Sequence, residues 1–176
     1  MRKFTLEDME GFDVIDGVIQ CPSGDYSLIK VFAKRSSFAK RSSFAEWCSF
    51  AERSSFAEWC SFAEWCSFAE GCSFAEGCSF AEGCSFAEGC SFAEWCSFAE
   101  GCSVDGNELK GFKMRSISGL GKYKRTMYVW DTINGFRVQA GCFFGGVDEF
   151  TNSIINKYGA NHAYIKAVEF LTSDWG

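Results

Sequence analysis

Ten glutamates recur six residues apart: Glu46, Glu52, Glu58, Glu64, Glu70, Glu76, Glu82, Glu88, Glu94 and Glu100. Between residues 46 and 102 only Arg53 opposes them. Carboxylates this regular can keep a repetitive surface solvated, hold a cation, or meet a basic partner that ordinarily reads the closely spaced charges of a nucleic acid. A second set is Cys48 and then every sixth residue from Cys60 to Cys102, with Cys21 and Cys142 outside the series. His162 is the single histidine and no C-x-x-C occurs, so zinc-site spacing is absent. Ser36, Ser42 and Ser54 fill the same slot earlier in the chain, which says the slot selects smallness, not sulfur. Buried reduced thiols are the expectation, with no metal and no cofactor. A third set is Lys110, Lys113, Arg115, Lys122, Lys124 and Arg125, a run without one acid and interleaved with Phe112, Tyr123 and Tyr128. Basic and aromatic residues on strands can grip phosphate and stack bases; the alternative is a solvated hairpin that balances the acidic repeat.

The element that carries the first two sets is a repeat. Phe occupies every sixth position from Phe32 to Phe98, and Val104 takes the next slot. Ala follows each Phe, and a small residue stands two positions before nearly all of them. A helix hosts this poorly, because six residues advance 600° and the rings would spiral around the axis. An extended chain that bends at fixed intervals suits the period, the mark of a solenoid. If three hexads close one triangular coil, residues 18 apart stack at the strand spacing of about 4.8 Å. One corner then carries Arg35, Arg53, Gly71 and Gly89, a second Arg41, Trp59, Gly77 and Trp95, and the third Trp47, Trp65, Gly83 and Gly101. Exposed Trp at two corners suggests a contact surface for a partner or a second copy; the competing reading lays each indole over its own coil or over a vacant glycine beside it.

The frame F-A-E-G-C-S resembles the hexapeptide repeat of left-handed parallel β-helices, a family that includes bacterial acyltransferases. The resemblance covers residues 32–104 and departs from the family in placing Phe where Ile, Val or Leu is usual. It implies a triangular, mainly β solenoid of about four coils, assembled as a dimer or trimer. The acyltransferases of that family place a catalytic His at a coil edge; this repeat has none, so no catalytic residue is assigned.

The flanks read as caps. Residues 1–31 are expected to form short strands that begin the first coil, with a turn at Cys21-Pro22-Ser23-Gly24. Residues 105–176 read as a small α+β cap, with strands at Phe112–Ile117, Lys122–Trp130 and Phe136–Phe143 and helices at Asp148–Tyr158 and His162–Leu171. This tail, with Gly141-Cys142-Phe143-Phe144-Gly145 and Asp148-Glu149-Phe150, resembles uncharacterised repeat proteins of gut bacteria and their phages. With a net charge of −6, no signal peptide and no apolar run long enough to span a membrane, a cytoplasmic protein away from membranes is expected. The leading functional expectation is a non-enzymatic, oligomeric acidic solenoid that binds a protein, in a phage context an inhibitor of a host nucleic-acid-targeting defence complex. Its contacts would be the ten glutamates and the corners Trp47, Trp59, Trp65, Trp95, Arg35 and Arg53, with the basic residues of 110–125 available to nucleic acid. An acyltransferase-like enzyme and an assembly or spacer element are the alternatives.

Overall fold

The protein is described by a computed structural model covering residues 1–93, 95–141 and 143–173, with the backbone alone at 111–113. The chain divides into two compact units, Met1–Glu108 and Leu109–Gly176.

The first unit is a parallel β-solenoid. It opens with helix α1 (Leu6–Glu10), then β1 (Val14–Ile15) and β2 (Val18–Cys21). The coils continue through β3 (Val31–Phe32), β4 (Ser36–Phe38), β5 (Ser43–Phe44), β6 (Ser49–Phe50), β7 (Ser55–Phe56), β8 (Ser61–Phe62) and β9 (Ser67–Phe68). They end with β10 (Ser73–Phe74), β11 (Ser79–Phe80), β12 (Ser85–Phe86), β13 (Ser91–Phe92), β14 (Ser97–Phe98) and β15 (Ser103–Val104). From β3 to β15 every third strand pairs in parallel, with residues 18 apart in register, as in Ser73↔Ser91 and Phe74↔Phe92. One face runs β2-β4-β7-β10-β13, a second β5-β8-β11-β14 and a third β3-β6-β9-β12-β15. There are therefore about five coils, not four. The extra coil comes from residues 18–31: Cys21 pairs with Phe38, and Tyr26 occupies the inward slot below Phe44.

Each hexad uses its residues in one way. The small residue and Phe point inward, Ser points outward from the strand, and Glu with its successor makes the corner. Backbone groups pair between coils: Ser79 N–H donates to the Cys60 carbonyl at 3.0 Å, and Ala81 N–H to the Phe62 carbonyl at 3.0 Å. At the corner the direction reverses, and Trp59 N–H donates to the Glu76 carbonyl one coil on, at 3.0 Å. This ladder satisfies the backbone without a helix or a long strand.

The rings fill the axis in three columns. One runs Phe4, Tyr26, Phe44, Phe62, Phe80 and Phe98, with successive centroids 5.0, 5.4, 4.8, 5.0 and 5.2 Å apart. The second, Phe32, Phe50, Phe68 and Phe86, steps by 4.7, 4.8 and 4.9 Å. The third, Phe38, Phe56, Phe74 and Phe92, steps by 5.0, 4.9 and 5.0 Å. Between columns the rings meet edge to face, as in Phe56–Phe62 at 4.9 Å and 87°. Both geometries suit the aromatic quadrupole, so three Phe per coil fit without leaving the strand spacing.

The amino-terminal end differs from the expected strands. Thr5 and Asp8 form a capping box that starts α1: Thr5 N–H donates to the Asp8 carboxylate at 2.8 Å, and Asp8 N–H donates to Thr5 Oγ1 at 3.3 Å. Phe4, just before the helix, is pinned as the terminal ring of its column, and its N–H donates to the Asp25 carbonyl at 2.9 Å. Hydrogen bonds from Thr5 hold the Asp8 carboxyl below the usual carboxylate range, and those from Ser27 do the same for Asp25. A carboxylate with a depressed native pKa stabilises the fold above its unfolded pKa and loses that contribution as pH falls through the native value. Acidification below about pH 4 should therefore loosen this end first. Hydrogen exchange of the Phe4 and Tyr26 amides, followed from pH 6 to pH 2.5 after correction for intrinsic rates, should show protection falling there before it falls at Ala63 or Ala81. Uniform loss along the coils would contradict this.

The solenoid ends where β15 turns back on β16 (Asn107–Leu120), pairing Ser103↔Glu108 and Val104↔Asn107. In the second unit β16 is followed antiparallel by β17 (Arg125–Thr132), β18 (Gly135–Ala140) and β19 (Phe143–Gly146), then α2 (Val147–Tyr158) and α3 (Ala163–Thr172). Four strands stand where three were expected, because the expected Phe136–Phe143 strand stops at Ala140 and a new one begins at Phe143. Met127, Val129 and Val138 on the sheet pack with Phe150, Ile154, Ile165, Val168 and Leu171 of the helices. Gly159 closes α2 at φ 87°.

Candidate functional site

The corner residue decides the surface of the solenoid. Every described corner has a left-handed backbone: Arg35 (φ 58°), Arg41 (61°), Trp47 (60°), Arg53 (58°), Trp59 (62°), Trp65 (59°) and Trp95 (65°), with Gly71, Gly77, Gly83, Gly89 and Gly101 between 69° and 74°. Glycine takes this conformation freely, whereas any other residue pays about 1–2 kcal/mol for it. The sequence shows the alternation of Gly with Arg and Trp but not its cause. Arg35, Arg53, Trp59 and Trp65 lay their side chains over glycines of neighbouring coils. A Cβ built on Gly77 would come within 2.5 Å of the Trp59 ring, and one on Gly83 within 2.5 Å of the Trp65 ring. Trp47 stacks on Trp65 at 5.5 Å and 12°.

Covering glycine does not bury the indoles of Trp59 and Trp65, which remain 56% and 46% exposed, and Trp47 and Trp95 are 63% and 75% exposed. Trp59 and Trp65 thus lie on vacant glycine sites, as one of the two readings has it, and all four rings leave apolar surface in solvent. All the repeat glutamates except Glu94, which lies outside the described residues, are exposed beside these corners. Among the described residues none of them is ion-paired, since the ion pairs found are Arg2–Asp8 and Lys3–Asp25. Stacked carboxylates about 4.8 Å apart repel by roughly 1 kcal/mol per pair in water. The first unit carries a net charge of −10 and the second +4.

The thiols are internal. Cys48, Cys60, Cys66, Cys72, Cys78, Cys84, Cys90 and Cys102 are fully buried, Cys96 is half-buried, and all are unpaired by disulfides. Cys48 Sγ donates across coils to the Ile29 carbonyl at 3.3 Å, and the others donate to an alanine carbonyl, as Cys66 Sγ does to Ala45 at 3.3 Å and Cys102 Sγ to Ala81 at 3.3 Å. Ser36 and Ser42 instead bond the alanine carbonyl of their own hexad, at 2.8 and 2.7 Å. That difference explains why both residue types serve in the slot. Hydrogen bonding to Cys72, then burial, raises the Cys90 thiol, and burial alone pushes Cys21 up to about 12. Native protein at pH 7.5 should accordingly resist N-ethylmaleimide, with no more than Cys96 and Cys142 modified by intact mass until denaturant is added. Rapid labelling of further thiols in the native state would contradict the inward slot. Cys142 lies outside the described residues.

The basic run does not form one patch. Lys110 lies near the start of β16 and Lys122, Lys124 and Arg125 follow its end, so the strand separates them by roughly 30 Å at about 3.3 Å per residue. Arg115, between them, donates to the Ser173 carbonyl. The side chain of Lys113 lies outside the described residues. Two members of the run, Lys122 and Arg125, instead line a cavity of about 680 Å³ within the second unit, together with Tyr123, Lys157, Tyr158 and His162 among others. Lys157, Tyr158 and Tyr164 carried no weight in the sequence reading, because they come from α2 and α3 and meet Lys122 only through the fold. The spacing of Lys157-Tyr158 and His162-x-Tyr164 around Gly159 was the available signal.

No family model, curated protein or solved structure matches the chain. The repeat β-solenoid is thus established by its own strand register and ring columns, and no named family is assigned. His162 is the N-cap of α3, its Nδ1 accepting from Tyr164 N–H at 3.3 Å, which places the proton of the neutral ring on Nε2. Among the described residues no helix is long and apolar enough to cross a membrane.

Proposed function

We propose that this is a non-enzymatic binding protein whose acidic solenoid, of the left-handed hexapeptide type, presents tryptophan corners to another macromolecule. The observation that carries the reading is the Trp47–Trp65 pair, offset-stacked yet exposed, flanked by unpaired glutamates. Aromatic side chains concentrate binding energy when a partner dries them. The surrounding carboxylates would steer a basic partner and make its association salt-dependent. A host nucleic-acid-targeting defence complex, met in the cytoplasm in a phage context, has the basic surface such a partner needs. Self-association into a dimer or trimer through the same corners is the homo-oligomeric form of this reading. An acyltransferase would need a histidine at a coil edge, and the repeat supplies none.

The test combines mass and capture. Wild-type protein and the W47A/W65A double variant would be compared by light scattering and by capture of basic proteins from a bacterial lysate at 50 and 500 mM salt. The fold should persist in the variant, because both side chains lie outside the core. The reading expects either a wild-type oligomer that falls to monomer in the variant, or a salt-sensitive captured partner weakened at least tenfold. A monomer with no salt-sensitive, Trp-dependent partner would overturn it.

A further inference from the structure

The cavity in the second unit is lined by cations and rings and, among the described residues, by no carboxylate. Lys122 and Arg125 enter from the β16–β17 turn and Lys157 from the last turn of α2. Among the described residues none of the three pairs with an acid within 4 Å. Each is instead set over a tyrosine ring: Lys122 Nζ and Arg125 Cζ are 5.7 and 5.4 Å from the Tyr123 centroid, and Lys157 Nζ is 5.3 Å from that of Tyr158. Tyr158, His162 and Tyr164 form a slab, with centroids 4.7 and 5.1 Å apart at 24° each. Phe150 and Ile154 give the cavity an apolar floor.

Two glycines leave room for groups at the cavity wall. A Cβ on Gly141, which sits at φ 65°, would lie 2.7 Å from Arg125 Nη1, so the absent side chain leaves room for the guanidinium. Tyr164 approaches Gly121 in the same way, its hydroxyl 3.3 Å from where a Cβ would stand. His162 is held by its Nδ1 bond to the start of α3, which leaves the Nε2 edge as a hydrogen-bond group on the cavity wall. The volume lies in the range of small-molecule sites, about 300–1,000 Å³.

We propose that this cavity binds a nucleotide, the base against the tyrosine and histidine rings and the phosphate on Lys122, Arg125 and Lys157. Three unpaired cations call for an anion, the rings for a flat π-system, and the two within one cavity for a ligand that carries both. A free mononucleotide and the phosphorylated end of a single strand share this chemistry. The proposal rests on the second unit alone and is independent of the solenoid corners.

Isothermal titration of the full chain at 50 mM salt with AMP, adenosine, ribose 5-phosphate and inorganic phosphate provides the test. AMP should bind at sub-millimolar affinity, at least tenfold tighter than adenosine or ribose 5-phosphate. Lys157→Gln should weaken AMP about tenfold, and Ser153→Trp, which fills the cavity from the exposed side of α2, should abolish binding. Lys166→Gln, outside the lining, should leave it unchanged. Circular dichroism on each variant separates lost binding from lost fold. A 5′-phosphorylated octathymidylate that binds at least tenfold tighter than TMP, and is equally sensitive to Lys157→Gln, assigns the strand end; equal or weaker binding assigns the free nucleotide. Absence of AMP binding at 5 mM, binding equal to that of phosphate, or binding indifferent to both Lys157→Gln and Ser153→Trp would overturn the proposal.

Discussion

Phe62→Ala is expected to destabilise the solenoid by about 3–5 kcal/mol, enough to remove much of the stability of a domain whose total is about 5–15 kcal/mol. Phe62 is 3% exposed at the middle of the longest ring column, between Phe44 at 4.8 Å and Phe80 at 5.0 Å. Its edges and faces also meet Phe56 and Phe68, each at 4.9 Å. Truncation would therefore leave a void bounded by rings on several sides, and β-sheet ladders above and below it prevent the coils from closing the gap. Because each coil touches only its neighbours, a break at the centre divides the stack into halves that lack their common interface. Phe62→Leu retains most of the volume and should cost about 1–1.5 kcal/mol. Urea titration by circular dichroism should rank the midpoints wild type, Leu, then Ala. If the Ala variant matched wild type, the rings could not be what holds the axis.

The solenoid was legible because its information is periodic. A single side-chain step of six, sustained from Phe32 to Phe98, fixes both the inward face and the register of 18 that the strand pairs display. The same reading stopped short at Tyr26 and Phe4, because the spacing from 4 to 26 contains no intact hexad, and ring stacking and isolated backbone bonds join them to the column. Helix α1 was missed for a related reason: five residues carry too little periodicity, and its signal is the Thr5–Asp8 capping box, which the apolar pattern does not report. The basic run was legible only in part. Its nearness in sequence left a phosphate grip and a solvated hairpin both open, and a strand spreads that nearness at about 3.3 Å per residue. Only the fold brings Lys157 and Tyr158 to Lys122 and Arg125.

The corner slot joins stability to the proposed contact surface. Glycine at every corner would give the least strained solenoid, yet seven described corners hold Arg or Trp in the left-handed region. Strain of about 1–2 kcal/mol at each is offset in part where a side chain covers the next coil. The remainder is a cost carried by residues whose rings and guanidinium groups face solvent, which fits a surface kept for contact.

Gly77→Ala is the variant that separates strain from covering. The left-handed backbone at φ 71° costs an alanine about 1–2 kcal/mol, and its Cβ would stand 2.5 Å from the six-membered ring of Trp59. The indole must then swing off the coil, losing its apolar contact and adding an overpacking cost of about 1–3 kcal/mol. The expected total is about 2–5 kcal/mol, summed from these two costs. Gly89→Ala has the same backbone problem at φ 74°, but its Cβ would meet nothing closer than the Gly71 backbone nitrogen at 3.7 Å, so it should cost only about 1–2 kcal/mol. In a Trp59→Ala background the Gly77 substitution should fall to the Gly89 value, a coupling of about 1–3 kcal/mol in a double-mutant cycle. Trp59 emission should shift to the red in Gly77→Ala alone as the ring enters water. Equal costs at Gly77 and Gly89, or no coupling to Trp59, would mean that the indole does not rest on the glycine and that the corner is shaped by backbone conformation only.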